Sequence, residues 1–147
     1  AMAEHANFDI CVIGAGIAGA SIAAELADEA NVLLIERESQ PGYHTTGRSA
    51  ALFSTTYGPS VIRALSRASE AFYANPPDGF DRPLLTPRGA LMVARADQLE
   101  SLGALERELA GAAGIERLDG AAARALVPLL RRGHVAGAIF EHFAQDI

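Results

Sequence analysis

The stretch VIGAGIAGA, Val12 to Ala20, decides the fold. It follows the apolar run FDICVIG (8–14), which has the pattern of a buried parallel strand. It opens a segment from Ile17 to about Glu29 in which small residues, with Ile22 and Leu26, predict a helix packed closely on that strand. The run NVLLIE (31–36) predicts a second buried strand, completing a βαβ unit. Gly14, Gly16 and Gly19 form G-x-G-x-x-G at the strand-to-helix turn, with Ala23 extending the small-residue face. Gly14 allows the tight turn, Gly16 lets backbone approach a pyrophosphate, and Gly19 keeps a Cβ out of the helix–strand contact. The positive end of the helix would then face the phosphates.

The motif alone is weak; its context strengthens it. Glu36 ends the second strand 22 residues after Gly14, where an acid accepts hydrogen bonds from ribose hydroxyls and repels a 2′-phosphate. That disfavours NADP but does not separate FAD from NAD, which carry the same adenosine ribose. The segment after the acid separates them. ERESQPGYHTTGRSAALFSTTYG (36–58) is a long loop of glycines and hydroxyls where a nicotinamide enzyme would go on to another helix. At its centre, TTGRSAA (45–51) can offer Thr46, Arg48 and Ser49 to a second phosphate and a flavin, Arg48 being the electrostatic complement of a pyrophosphate. A helical turn is predicted around Ser49 to Ser54.

Through ERESQPGYHTTGRSAA, ANPPDGF, RPLLTPRG and VPLLRRGHVAGAIF, the chain resembles the glycine/D-amino-acid oxidase family of FAD-dependent oxidoreductases, and within it the bacterial D-arginine dehydrogenase-like proteins. The resemblance implies that FAD is the cofactor. It places Gly14, Ala15, Gly16, Ile17, Ala18 and Gly19 along the pyrophosphate, and Glu36 and Arg37 at the adenosine. Thr46, Gly47, Arg48, Ser49 and Ala50 would lie along the phosphates, ribityl chain or ring, and Tyr57 would face the substrate. The implied reaction is oxidation of an amine α to a carboxylate, with hydride passing from Cα to flavin N5. Two positions depart from those relatives: Leu52 stands where they carry a histidine, and Ala90 where they carry a glutamate that grips a cationic side chain. Without that carboxylate the reason to prefer arginine disappears, so a less polar amine is expected. Sarcosine, glycine or a 2-hydroxy acid is the alternative substrate. A non-catalytic nucleotide-binding module and an NAD dehydrogenase are the readings from other classes.

The fold class expected is α/β: a Rossmann-type FAD-binding βαβ unit followed by the start of a mixed-sheet substrate domain. Residues 1–7 are expected to be disordered or artificially appended, 8–80 to form the FAD-binding portion, and 81–147 to begin the substrate domain. Family members are much longer, so the chain reads as the N-terminal part of such an enzyme, incomplete by itself for catalysis. Further along, Ser60 is expected to cap a helix carrying Val61, Ile62, Leu65, Ala68 and Phe72 on one face. GALMVAR (89–95) and VAGAIFE (135–141) read as strands, the second as the last element of the chain. DQLE (97–100) resembles a capping box opening a leucine-striped helix to Gly111, and Asp119 is expected to cap a short helix before Pro128.

Composition sets the limits. The 147 residues carry a net charge of −6 and no basic stripe, which argues against nucleic acid. The single cysteine, Cys11, cannot form an internal disulfide and is expected to be a small buried hydrophobe. His134 and His142 lack ligand spacing, so no metal site is expected. With neither a signal peptide nor an apolar run of about 20 residues, a cytoplasmic protein without a transmembrane segment is expected. Arg63, Arg67 and Glu70 read as a solvated helix face, and His44 as a loop histidine with no assigned role.

Overall fold

The computed structural model describes residues 6–147 and divides at Ala50 into two compact units. Residues 1–5, within the stretch expected to be appended, lie outside the described residues.

In the first unit, strand β1 (Ile10–Ile13) leads through the glycine turn into helix α1 (Ile17–Leu26), and strand β2 (Val32–Ile35) returns parallel to β1. Ile10 pairs with Val32 and Ile13 with Ile35, so the two strands run in step as the βαβ reading requires. The sheet is covered on one face only. Val12 lies on the α1 side, against Gly19, whereas Ile13 on the other face is 85% exposed. Cys11 shares that open face and is exposed, contrary to the expectation of a buried cysteine. A single crossover helix can shield only alternate residues of a pleated strand.

The second unit contains strand β3 (Leu52–Phe53), helix α2 (Ser60–Ala74), strand β4 (Thr86–Pro87) and strand β5 (Ala90–Ala94). Helix α3 (Leu99–Glu108), strand β6 (Ile115–Asp119), helix α4 (Gly120–Leu126), strand β7 (Gly137–Glu141) and strand β8 (Gln145–Asp146) complete it. One antiparallel sheet has the order β5-β7-β6, and a smaller one the order β3-β8-β4. The core sits where α3 lays Leu102 on the β7 sheet. Ile139 is fully buried there with Ala94, and Met92, Leu105 and Ile115 pack around them. Among the described residues no helix is long and apolar enough to cross a membrane.

Several local expectations are corrected. Residues 49–54 do not form a helical turn: the 3₁₀ turn of this loop lies earlier, at Thr46–Arg48, and Ala51 has φ of 49° before β3 begins. A left-handed residue there breaks any helical run. Pro59, in extended conformation, is the N-cap of α2, and Ser60 is its first helical residue without a capping bond. The expected box at Asp97 starts two residues earlier. Arg95 N–H donates to Gln98 Oε1 at 3.1 Å, while the Asp97 carboxylate accepts from the Arg95 guanidinium at 2.9 and 3.0 Å. Nor is β7 the last element, since β8 comes after it and pairs with both β3 and β4. Asp119 does cap α4, its Oδ1 accepting from Ala121 and Ala122 N–H at 2.9 and 2.8 Å.

Candidate functional site: a phosphate cradle at the first crossover

Gly14 takes φ of +99°, a conformation that L side chains rarely adopt, and so turns the chain sharply out of β1. Gly16 then caps α1 with extended backbone. A Cβ on Gly19 would collide with the carbonyl oxygen of Gly14 and touch Val12, so the helix can approach the strand only because Gly19 has none. Gly16 is different. A Cβ there would meet only Thr46 Oγ1, at an ordinary 3.4 Å.

The loop after β2 folds back onto this turn. Gly42 N–H donates to Ala15 O at 2.9 Å, and Gly47 N–H closes the loop on Gly42 O at 2.7 Å. The Thr46 hydroxyl accepts from Ile17 N–H at 3.0 Å, satisfying the first amide of α1. The Ala18 and Gly19 N–H groups of that first turn have no protein acceptor among the described residues and remain available to an outside anion.

Glu36 stands on the other side of the turn, half-buried. Its Oε2 accepts from Ala15 N–H at 2.8 Å and its Oε1 from Glu38 N–H at 2.9 Å. Those amide bonds, that of Glu38 first and Ala15 next, hold its carboxyl below the usual carboxylate range. A carboxylate offers about four lone-pair sites, so capacity remains for a hydroxyl donor. Glu38 is drawn down in the same direction, first by its hydrogen bond with His44 and then by Arg37. Arg37 reaches Glu38 Oε1 at 2.7 Å and His44 Nε2 meets the same oxygen at 2.9 Å, which gives His44 a loop-stabilising partner. Arg48 lies over the Tyr43 ring, 5.8 Å from its centroid, and takes no carboxylate partner among the described residues. Ser49 and Ala50 continue outward as exposed chain.

The sequence thus names the turn and the hydroxyl loop, and the structure brings Gly14 to Gly19, Glu36, Thr46 and Gly47 together within the first unit. Tyr57 belongs to the second unit and is 73% exposed. Leu52 lies on β3, and Ala90 is the direct cross-strand neighbour of Glu141 on β7. Sequence reasoning missed Glu141 altogether and misread Arg63. The Arg63 side chain is only 12% exposed, its Nη1 donating to Gly58 O at 2.8 Å and its Nη2 to Glu108 at 2.6 Å. An arginine can bury its stem when its head group is satisfied in this way. Among the described residues no cluster suits a metal ion.

The family model described as FAD dependent oxidoreductase matches residues 9–146. The chain belongs to that family. FAD is therefore the cofactor of the family to which the cradle belongs. L-2-hydroxyglutarate dehydrogenase of Escherichia coli K12 is 33% identical over 121 residues, covering 75% of this chain and 27% of that protein. Glycerol 3-phosphate dehydrogenase of Caloramator mitchellensis is 45% identical over 51 residues, 34% of this chain and 11% of that one. Among solved structures, FAD-bound L-alpha-glycerophosphate oxidase of Mycoplasma pneumoniae matches with a TM-score of 0.77 at 18% identity, covering 95% of this chain and 38% of its own. Glycine oxidase of Bacillus cereus matches with 0.73 at 20%, covering 95% and 41%. At such identities these structures carry the fold alone. The chain spans about a quarter of the length of the curated dehydrogenase from E. coli.

Proposed function

We propose that residues 8–80 supply the FAD-binding part, and 81–147 the beginning of the substrate domain, of an enzyme that oxidises a small 2-amino acid or related amine. The observation that carries the reading is the cradle. The Thr46 hydroxyl closes on Ile17 while the Ala18 and Gly19 amides stay open at the helix start. Gly14, Ala15, Gly16, Ile17, Ala18 and Gly19 would hold the pyrophosphate, with Glu36 and Arg37 at the adenosine. Thr46, Gly47, Arg48, Ser49 and Ala50 would run along the phosphates, ribityl chain and ring. Glu36 fits a ribose because its carboxylate keeps acceptor capacity after the Ala15 and Glu38 bonds. Bound FAD supplies the hydride acceptor for the substrate Cα. The chain's own task is to orient: α1 neutralises phosphate charge, Arg48 adds a movable cation, and Tyr57 offers a hydroxyl to the substrate.

The resemblance of residues 36–58 to D-arginine dehydrogenase-like proteins supports an amine, and Ala90 with Leu52 supports a side chain less polar than arginine. A second reading, a 2-hydroxy acid, is favoured by the 33% identity with L-2-hydroxyglutarate dehydrogenase. Two measurements test the proposal, the first on the purified chain and the second on the full-length enzyme. A flavin absorbance band near ~450 nm is expected after loading, since the flavin carries the reaction. Steady-state rates on D- and L-amino acids, sarcosine, glycine and 2-hydroxyglutarate then rank the substrates. Failure to take up FAD rejects the cofactor site, and a marked preference for D-arginine rejects the reading of Ala90.

A further inference from the structure

Glu141 ends the central strand of the β5-β7-β6 sheet and is only 3% exposed. No cation pairs with it among the described residues. Its partners are hydroxyls instead. Ser54 Oγ lies 3.1 and 2.9 Å from its two carboxylate oxygens, and Thr56 Oγ1 lies 2.6 Å from Oε2. Thr56 N–H in turn donates to Ser54 Oγ at 3.2 Å, and both hydroxyl residues are buried. Enclosing a carboxylate without a counter-charge is costly, and apolar residues at positions 54, 56 and 141 together would avoid that cost. The arrangement therefore points to a use other than packing.

That use is visible one residue on. Tyr57 is preceded by Thr56, tied to Glu141, and succeeded by Gly58, whose carbonyl accepts from Arg63. Both neighbours are fastened by hydrogen bonds to charged groups, the stronger kind. The tyrosine between them remains 73% exposed. Beside the segment lies an open cavity of about 620 Å³, lined among others by Thr55, Thr56 and Arg63, into which the segment could shift once untied.

We infer that Glu141 is a positioning residue: through Ser54 and Thr56 it fixes the segment that presents Tyr57 to the substrate. This rests on the reading of Tyr57 as the substrate contact, and a thermodynamic cycle separates the two ideas. T56V keeps the side chain's shape and removes the 2.6 Å bond; T56S restores the hydroxyl. In the FAD-loaded full-length enzyme, assayed on whichever of glycine, D-alanine or 2-hydroxyglutarate it oxidises fastest, T56V is expected to raise KM about tenfold with little change in kcat. T56S returns KM to normal. On a Y57A background, T56V adds nothing. An equal rise in both backgrounds, or none in either, overturns the positioning role. An unchanged KM in Y57A alone overturns the substrate contact, and the inference with it.

A readout that needs no flavin accompanies the cycle. Amide hydrogen exchange over residues 54–58 is expected to be about tenfold faster in T56V than in the wild type and T56S; equal exchange in all three refutes the tie. Should T56V fail to fold, S54A cuts the other donor and enters the same cycle.

Discussion

Replacing Gly16 and Gly19 separately with alanine distinguishes a glycine required by a ligand from one required by the chain. At Gly19 the new Cβ would overlap the Gly14 carbonyl. The ~1 kcal/mol gained from alanine's helix propensity is then outweighed by overpacking of about 1–3 kcal/mol, or by a shift of α1 off β1. At Gly16 the Cβ has an ordinary 3.4 Å neighbour and φ is −75°, so stability is expected to change by no more than about 0.5 kcal/mol. If a pyrophosphate lies against this backbone, the same methyl group pushes it away. Losing one hydrogen bond to a charged phosphate, at about 1.5–3 kcal/mol, weakens FAD binding roughly 10- to 150-fold. The assay pairs a thermal melt of the ligand-free protein with an FAD fluorescence titration. G16A should melt like the wild type and bind poorly, whereas G19A should melt early. Wild-type affinity in G16A would refute the placement of the pyrophosphate.

The Glu36 carboxyl is held below its ordinary value of 4.5 by the Glu38 and Ala15 amides. Its stabilising contribution is full above 4.5 and fades as pH falls through the lower folded-state value. Circular dichroism melts from pH 7 to 3 should show a loss at the acid end that is smaller in E36Q. D119A removes the one oxygen that accepts from both amides at the start of α4 and should cost about 0.5–2 kcal/mol, read from urea unfolding. I139A opens a cavity at the fully buried centre of the β7 sheet and should cost about 2–5 kcal/mol in the same assay.

The parts of this molecule legible in the sequence are those whose cause is local. The glycine spacing from Gly14 to Gly19 and the Asp119 cap each act within a few residues of chain, and each lies where its pattern puts it. Strand β6 (IERLD) is hidden by Glu116 and Arg117, which place charge in mid-strand. Strands β4 and β8 have two residues each, too few for any period to register. Cys11 reads as buried because an apolar run does not state how many of its faces are covered. The partners of Glu141 stand 85 and 87 residues away, so no spacing announces them. The cradle is foreseeable for the opposite reason. Its return loop lies close behind the second strand, and its glycines and hydroxyls are the residues that can bond to a turn.

The position of β7 bears on synthesis. Both β5 and β6 hydrogen-bond to it, yet it comes after them in the chain. On the ribosome the two flanking strands emerge first and wait without a template, their edges open to neighbouring chains. The sheet can assemble only when Gly137–Glu141 arrives to be inserted between them, so translation order makes this unit a late and non-local folder.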